Sequence, residues 1–319
     1  MKLALIGPGA MGEEHALAFA RLGGVEPYLV AGPHRDSLEA FASQHGFTRT
    51  SLDPFAAIAD PTVDIVVIAS PNAAHYQQAK AAIELGKHVL IEIPMALELA
   101  EAEELAALAA ASESVVMAAH ISRYYPAVQR LKRSVAAEEL TLRHLICSMG
   151  TDKRQNRNWK GAERDWVDDL LWHHGMHVLD VVLELNAGAE LSGFSVQAGG
   201  RHQVHGGVMD LGVGLRFASG ALATVALTYN AGAQFTRYTV VADELFSELA
   251  QDAPGAGRAD LTENRPFADL VDAQDSDFLA ACRAGTAAPI PLTSVLPVMR
   301  LVDDLATDLG GQLPTAART

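Results

Sequence analysis

Three histidines lie within five residues of one another between Leu171 and Asp180, and this spacing predicts chemistry. His173, His177 and Asp180 are four and three residues apart, so on a helix they share one face. Imidazole titrates near neutral pH, and a histidine on such a face can take a proton from a bound hydroxyl group. Histidines at an ordinary helix–sheet contact would show the same spacing. His173 and His177 could also share a metal ion, but no glutamate completes a zinc-protease pattern, and we predict no metal site.

The segment directly before these histidines, residues 151–166, is a basic loop in an acidic chain. The chain has 24 Lys and Arg against 39 Asp and Glu, a formal net charge of −15, whereas the loop has five basic and three acidic residues. Because a guanidinium group can bind both oxygens of a carboxylate, we expect a small anionic, carboxylated substrate. The alternative is a solvated loop with surface ion pairs. The predicted substrate-binding residues are Arg123, Arg154, Arg157, Trp166, His173 and His174.

Composition and charge favour some classes of protein and exclude others. A chain of 319 residues is long enough for two domains, and 49% hydrophobic with 20% charged residues is usual for soluble globular proteins. The negative charge argues against nucleic acid or an anionic membrane as a partner, because their phosphates would repel it. The first residues lack a signal-type pattern, and no apolar run reaches about 18 residues. We therefore expect a cytoplasmic protein.

A glycine-rich fingerprint opens the chain. The short apolar strand 2–6 runs into the sequence GPGAMG, and a helix-like segment follows from Glu13. Glycines in this context allow a tight turn, a close approach of backbone N–H groups to a pyrophosphate, and close packing of helix on strand. A plain glycine-rich strand–helix turn is the alternative. The predicted dinucleotide-binding residues of the fingerprint are Gly7, Gly9, Ala10, Met11 and Gly12.

The residues after the second strand bear on the choice between NADP and NAD. A carboxylate for an unphosphorylated adenosine ribose is expected about 20 residues after the fingerprint. The sequence there is Gly32-Pro33-His34-Arg35-Asp36, with no acid directly after the strand. His34 and Arg35 can pair with a 2′-phosphate, so we predict NADP, with NAD less favoured because Asp36 follows. Arg35 could instead be a solvated residue at a helix start.

Strands and helices alternate through the first 120 residues, which predicts an α/β fold with a doubly wound parallel (Rossmann) sheet. Apolar strands at 64–69, 87–94 and 114–119 alternate with helix-like segments. Ligands of such sheets bind beyond the carboxyl ends of the strands. The further predicted cofactor-binding residues at these ends are Ser70, Pro71, Asn72, His75, Glu92 and Pro94.

The pattern changes after residue 120, and we predict a second domain over residues 121–319. A helical connector is followed by strand-like runs with short links, which predicts an α+β domain with a mostly antiparallel, open-faced sheet. The open face is a candidate surface for a homodimer or higher homo-oligomer. We expect the last helix, about 293–309, to pack back on the first domain.

Three motifs in their order along the chain resemble the Gfo/Idh/MocA oxidoreductases. They are GPGAMG, ASPNAAH, and GKHVLIEIP followed by a long helix. The resemblance implies a first domain that binds NAD(P) and a second that places a substrate against the nicotinamide. The segment Glu92-Ile93-Pro94 departs from the family's Glu-Lys-Pro, whose lysine positions substrate or relays a proton in many members. Another residue must fill that role here, or the role is absent.

The resemblance also gives the histidine stretch a role. The family carries Asp-x-x-x-His-x-x-Asp on this helix, and His177 falls on the histidine that acts as acid and base. Asp180 falls on the following acid, and His173 replaces the first one. Together EIP, NRNWKG and DWVDDLLWHHGMH resemble a branch of the family that acts in aromatic catabolism, in the protocatechuate 4,5-cleavage route. Its members use NADP to oxidise the hemiacetal of 4-carboxy-2-hydroxymuconate semialdehyde to 2-pyrone-4,6-dicarboxylate.

Two other functions are compatible with the same family. A sugar or inositol dehydrogenase would turn over neutral polyols and make little use of the basic loop, and the missing lysine at Ile93 counts against it. A non-catalytic regulator of the same fold would bind NADP without turnover, and an intact His177 counts against that.

Overall fold

The computed structural model describes residues 1–157, 160–161, 163, 167–204, 206–250, 259–260 and 265–312. The chain forms two compact units. The first combines Met1–Ile121 with Pro266–Leu296, and the second combines Ser122–Arg265 with Pro297–Thr319. The predicted division at residue 120 therefore differs in one respect, because a late segment of the chain clusters with the first unit.

The sheet of the first unit is parallel throughout. Its strands are β1 (Lys2–Ile6), β2 (Glu26–Ala31), β3 (Arg49–Ser51), β4 (Ile65–Ile68), β5 (His88–Ile91) and β6 (Val116–Ala118). Their spatial order is β3-β2-β1-β4-β5-β6, the order of a dinucleotide-binding sheet. Strand β4 is buried along its whole length, which explains its continuous apolar sequence. The predicted α/β fold class is confirmed.

The sheet of the second unit is mixed, with most strand pairs antiparallel. Its strands are β7 (Leu142–Asp152), β8 (Leu191–Ala198), β9 (Asp210–Phe217), β10 (Leu222–Thr228), β11 (Asn230–Ala242), β12 (Phe246–Ala250) and β13 (Ala259–Asp260), in the spatial order β13-β12-β11-β7-β10-β9-β8. Only β7–β10 and β12–β13 are parallel among the pairs in the described residues. Side chains of β10 alternate between exposed and buried, so one face is open, as predicted.

Helices cover the first sheet and the buried face of the second. In chain order they are α1 (Ala10–Leu22), α2 (Arg35–His45), α3 (Pro54–Ile58), α4 (His75–Glu84), α5 (Leu99–Ala111), α6 (Pro126–Ala136), α7 (Met176–Leu185), α8 (Phe267–Ala284) and α9 (Leu296–Gln312). Short 3₁₀ turns form at Asn72–Ala74, Ile121–Tyr124 and Leu292–Ser294, and one turn of π-helix at Leu170–Gly175. Within the second unit, α7 packs on β7 and β10. No helix in the described part of the chain is both long and apolar enough to cross a membrane.

Helix α8 clusters with the first unit, although in the sequence it follows the last strand of the second sheet. It packs on α1, and its side chains Leu270, Val271 and Phe278 are fully buried. At the surface Asp272 forms a bidentate ion pair with Arg21, with a shortest distance of 2.6 Å. Helix α8 clusters with the first unit, while α9 clusters with the second unit from Pro297 onwards. Packing of the last helix on the first domain stays a prediction.

Candidate functional site

The fingerprint glycines leave space where a dinucleotide phosphate would lie. A Cβ atom on Gly7 would lie 2.5 Å from the carbonyl oxygen of Ala69, and Gly7 has φ +97°, in the region that favours glycine. A Cβ atom on Gly12 would lie 2.1 Å from the carbonyl oxygen of Gly7. A Cβ atom on Gly9 would meet nothing within 4 Å. Gly7 and Gly12 therefore hold strand and helix together, while Gly9 leaves an open approach to the backbone. These residues fit a dinucleotide cofactor.

The first turn of α1 presents hydrogen-bond donors that could hold such a cofactor. The first intrahelical bond runs from the N–H of Glu13 to the carbonyl oxygen of Gly9. The preceding N–H groups, of Ala10, Met11 and Gly12, therefore have no partner within the helix. Such groups and the helix dipole attract phosphate. The structure places the five predicted fingerprint residues in one turn at the carboxyl end of β1.

A buried histidine connects two further predicted cofactor segments. The ring nitrogens of His75 lie 2.8 Å from the carbonyl oxygen of Pro94 and 2.7 Å from that of Ser70. Burial lowers the pKa of His75 and outweighs the hydrogen bonds to the two carbonyl groups, which raise it. Ser70 also donates a hydrogen bond of 2.6 Å to Gln78. Pro71 and Asn72 follow Ser70 into the 3₁₀ turn, so the ends of β4 and β5 stand side by side.

The residues predicted to distinguish NADP from NAD lie at the start of α2. His34 precedes the helix and Arg35 begins it, and both are exposed. Arg35 is 3.7 Å from Glu39, an exposed pair of little energetic weight. A side chain on Gly32 would lie 2.7 Å from the Pro8 ring, so the first position after β2 cannot hold an acid without rearrangement. Asp36 is exposed in the first turn of α2.

Glu92 belongs to a buried charged chain that sequence reasoning missed. Its Oε1 atom lies 2.8 Å from Nε2 of His15, and Nδ1 of His15 lies 2.7 Å from Oδ2 of Asp275. Burial by itself would lower the pKa of His15, but the charges and hydrogen bonds of Asp275 and Glu92 outweigh it and raise the pKa to about 10. His15 is therefore an imidazolium at neutral pH. One signal was available, since His15 lies one turn of helix beyond Gly12.

In the second unit, a π-helical turn gathers the three histidines. The side chain of Asp169 caps the turn by accepting hydrogen bonds from the N–H groups of Leu171 and Trp172, at 2.9 and 3.0 Å. Helix α7 continues from Met176. The ring centroid of His173 lies 4.6 Å from that of His174 and 6.2 Å from that of His177. Sequence reasoning assumed an α-helix throughout. Single π-helical turns of this kind often occur at functional sites.

Each histidine of this cluster has its own neighbour near Nδ1. In His177 that nitrogen lies 3.2 Å from Oγ of Ser122, and in His174 it lies 2.9 Å from the Tyr229 hydroxyl. In His173 it lies 3.8 Å from Oδ1 of Asp168. Burial lowers the pKa of His174 well below its usual value, and the neighbouring His173 and His177 lower it further. His174 is therefore a neutral member of the cluster.

A lysine of the basic loop lies beside the same carboxylate. Nζ of Lys153 is 3.2 Å from Oδ2 of Asp168, and 3.1 Å from the carbonyl oxygen of Arg157. The side chains of Lys153 and Asp168 are 13% and 1% exposed. Asp168 thus lies between a half-buried cation and His173. Neither residue was singled out from the sequence, although Asp168 stands shortly before the histidines.

The predicted substrate arginines pair with acids of the protein. Arg123 forms a bidentate pair with Asp180, at 2.8 and 2.6 Å, and lies 3.3 Å from Glu184. Asp180 therefore binds Arg123 as well as lying on the histidine helix. Arg154 is exposed and pairs with Asp152 at 2.5 Å, and Arg157 is exposed and lies 3.3 Å from Glu163.

Two predictions remain for the rest of the candidate site. Trp166 lies outside the described residues. Within the part of the chain that the structure describes, no group of three or more His, Cys, Asp or Glu side chains could hold a metal ion.

Comparison with known proteins matches one oxidoreductase family model to the first part of the chain and another to the second. The Gfo/Idh/MocA profile, an oxidoreductase family with an NAD-binding Rossmann fold, matches residues 1–120. The profile of the C-terminal domain of bacterial oxidoreductases matches residues 126–252.

Two relatives and one solved structure illustrate the range. A 4-carboxy-2-hydroxymuconate-6-semialdehyde dehydrogenase of Sphingobium sp. strain SYK-6 is 29% identical, over 98% of this chain and 100% of that protein. An inositol 2-dehydrogenase of Mycolicibacterium vanbaalenii is 31% identical over 44% of this chain and 42% of that protein. A levoglucosan dehydrogenase solved with NADH has a TM-score of 0.82 at 19% identity, over 98% of this chain and 97% of that one. This last likeness shows a shared fold.

Proposed function

This chain belongs to the Gfo/Idh/MocA oxidoreductases, and we propose that it oxidises the cyclic hemiacetal of 4-carboxy-2-hydroxymuconate-6-semialdehyde to 2-pyrone-4,6-dicarboxylate with NADP. The observation that carries the proposal is the histidine cluster, in which His177 contacts Ser122 and His173 faces the Lys153–Asp168 pair. The full-length similarity to a dehydrogenase of that substrate supports the same reaction. The reaction belongs to the protocatechuate 4,5-cleavage route of aromatic catabolism.

The cofactor supplies a hydride acceptor when it is bound. Gly9, the first turn of α1 and the segments that His75 connects would hold it. NADP is favoured because Gly32 leaves no acid directly after β2, while His34 and Arg35 present exposed donors for a 2′-phosphate.

His177 serves as the base. As the hemiacetal carbon loses a hydride, the hydroxyl proton must be taken up, and an imidazole does this well near neutral pH. The Ser122 hydroxyl contacts Nδ1 of His177 and orients the ring. Neutral His174 can donate or accept a hydrogen bond without adding charge.

Lys153 supplies a cation that the Glu-Ile-Pro segment lacks. Ile93 stands where the family carries lysine, and its side chain is buried, at 3% exposed. Lys153 is held by Asp168 beside the histidine cluster and can contact a substrate carboxylate. Arg154 and Arg157 can contribute as well, because exposed ion pairs cost little to exchange. Arg123, with two acids, contributes mainly to the position of α7.

A neutral polyol is the second candidate substrate. All three predicted arginines pair with acidic side chains of the protein, and these pairs offset the arginine charges. This observation favours an uncharged substrate. A sugar or inositol dehydrogenase of the same family would have this property.

The proposed assembly is a homodimer formed through the open face of the second sheet. Ile146 and Leu222 are exposed on that face. A cytoplasmic location is part of the same proposal.

One assay separates these functions. Purified protein is given NADP or NAD with the ring-cleavage product of protocatechuate, and in parallel with inositol, xylose and glucose. We expect reduction of NADP with the carboxylated hemiacetal and rates at least about 100-fold lower with the neutral compounds. Turnover of a polyol at a comparable rate would overturn the proposed substrate. Binding of NADPH without turnover of any compound would indicate a regulator.

A further inference from the structure

The hydrogen-bonded triad Glu92–His15–Asp275 is an unusual feature of the first unit, because three ionisable side chains lie together in its interior. His15 and Asp275 are fully buried, and the side chain of Glu92 is 14% exposed. Each ring nitrogen of His15 contacts a carboxylate, at 2.8 and 2.7 Å. Both nitrogens must donate, so the ring is protonated. The three charges add to −1, and only the Glu92 end reaches the surface.

A contribution to stability does not by itself explain the triad Glu92–His15–Asp275. Taking ions out of water costs several kcal/mol each, and well-packed apolar residues often stabilise a fold as well or better. Helices α1 and α8 are also already tied at the surface by Arg21 and Asp272. The buried charges therefore point to a role at the exposed end, where Glu92 follows β5.

We propose that His15 and Asp275 are positioning residues of the cofactor site, with Asp275 orienting the His15 ring and His15 fixing the carboxylate of Glu92. Held in this way, Glu92 accepts a hydrogen bond from a hydroxyl or amide N–H donor of the bound nucleotide. This inference rests on the proposed role of Glu92 as a cofactor ligand. It assigns to α8, which lies beyond residues 1–120 and 126–252 that the family profiles match, a part in nucleotide binding.

The proposed role explains why the end of the triad opposite Glu92, at Asp275, is fully buried. A carboxylate with one oxygen engaged by a fixed imidazolium loses little rotational freedom when it binds a ligand. Asp275 comes from a helix 260 residues beyond His15, and Gln274 lies beside it, with its side-chain nitrogen 3.4 Å from Oδ1 of Asp275. The anchor is thus built from packing that the nucleotide does not touch.

The test is a double-mutant cycle read out as NADPH affinity, measured by fluorescence titration of the full chain. We expect His15→Gln and Glu92→Gln each to weaken binding by about tenfold, the effect of losing one charge-assisted hydrogen bond. The double variant should bind no more weakly than Glu92→Gln, because His15 acts through Glu92. Asp272→Asn, which removes the surface pair between the same two helices, should change affinity less than twofold.

Three other results of this experiment would overturn a part of the proposal. Independent effects that multiply in the double variant would overturn the proposal, as would a His15→Gln variant that loses thermal stability but binds NADPH normally. Unchanged binding by Glu92→Gln would instead refute Glu92 as a cofactor ligand. If His15→Gln does not fold, Asp275→Asn replaces it in the cycle, with the same required coupling to Glu92. Nitrogen chemical shifts of His15 provide a second readout, with protonation at pH 8 expected in the unaltered protein.

Discussion

The proposed role of His177 as the base rests on three neighbours rather than on its spacing. Ser122 contacts its Nδ1 atom, and His173 and His174 complete a cluster in which His174 is kept neutral by burial. A histidine with a hydroxyl partner, in a cluster that also contains a Lys–Asp pair, is suited to take up a proton.

The first prediction concerns His177 itself. His177→Asn preserves the size and polarity of the side chain but removes the base, so kcat with the preferred substrate should fall by about 100-fold or more. NADPH affinity should stay within about twofold. Steady-state kinetics and a binding titration measure the two, with His144→Asn, on the second sheet beside Thr224, as the control. Retention of turnover within about threefold would show that the base is another residue.

The second prediction concerns the ribose end of the cofactor. Arg35→Ala removes the exposed side chain that we propose as a donor for the 2′-phosphate, so KM for NADP should rise about tenfold while KM for NAD changes little. Arg143→Ala, which removes an exposed partner of Asp243 in the second unit, serves as the control. Equal effects on both cofactors, or none, would contradict the assignment of Arg35.

The third prediction is a dependence of stability on pH. The pKa of His15 in the folded protein is about 10, above its usual 6.5, because two carboxylates stabilise the charged ring against the opposing effect of burial. Its contribution to the free energy of unfolding is complete below about pH 6.5 and is lost as the pH rises towards 10. Urea denaturation at pH 7 and pH 9.5 should show a loss on the order of a few kcal/mol, which His15→Gln should largely abolish. An equal pH dependence in both proteins would show that His15 is not charged.

At the scale of elements, neighbouring glycines in the turn between β1 and α1 have different structural surroundings. The fourth prediction compares two of them. Gly12→Ala should lower the free energy of unfolding by about 1–3 kcal/mol or more, because the new methyl group would meet the Gly7 carbonyl oxygen. Gly9→Ala should leave stability nearly unchanged, because its methyl group meets no protein atom, but should weaken NADPH binding at least about tenfold.

Thermal unfolding and NADPH titration of both variants test this contrast. Gly200→Ala, at a position that is likewise open in the second unit, serves as a control for the added methyl group. A Gly9→Ala variant that binds NADPH normally would show that no phosphate approaches this backbone.

The π-helical turn before α7 is the element that defines the histidine cluster. A continuous α-helix would put His173 and His177 on one face and His174 on another. With the π-helical turn capped by Asp169, His174 instead reaches Tyr229, and the hydroxyl of Tyr229 lies 3.4 Å from the carbonyl oxygen of Asp169. The link between β10 and β11, where Tyr229 lies, therefore helps to hold the turn in place.

At the scale of the whole molecule, the fifth prediction concerns assembly. Ile146 and Leu222 are 44% and 42% exposed on the open face of the second sheet, so covering that face would bury apolar surface. Sedimentation should show a species of twice 33.8 kDa, and Ile146→Glu should convert it to a monomer. Val204→Glu, at a position that is 89% exposed, should leave the mass unchanged. A dimer that survives Ile146→Glu would place the interface elsewhere.

Much of the architecture could be predicted because its signals are local. Five of the six strands of the first sheet were identified from their sequence pattern, but the short polar strand β3 was missed because it has no apolar run. The fingerprint glycines identified the first turn of the sheet. Parallel strands in alternation with helices then bring Gly7, Ser70 and Glu92 to one edge, whatever the details of packing.

The sequence by itself determined the family, the fold class and the residue types available for chemistry, because periodicity and glycine spacing act within one element or between adjacent ones. Only the tertiary structure decided which charges meet. Arg123 pairs with Asp180, Lys153 with Asp168, and His15 with Asp275, across separations of 57, 15 and 260 residues. Ion pairing depends on a few ångströms of packing between distant elements, and no local pattern in the sequence records that distance.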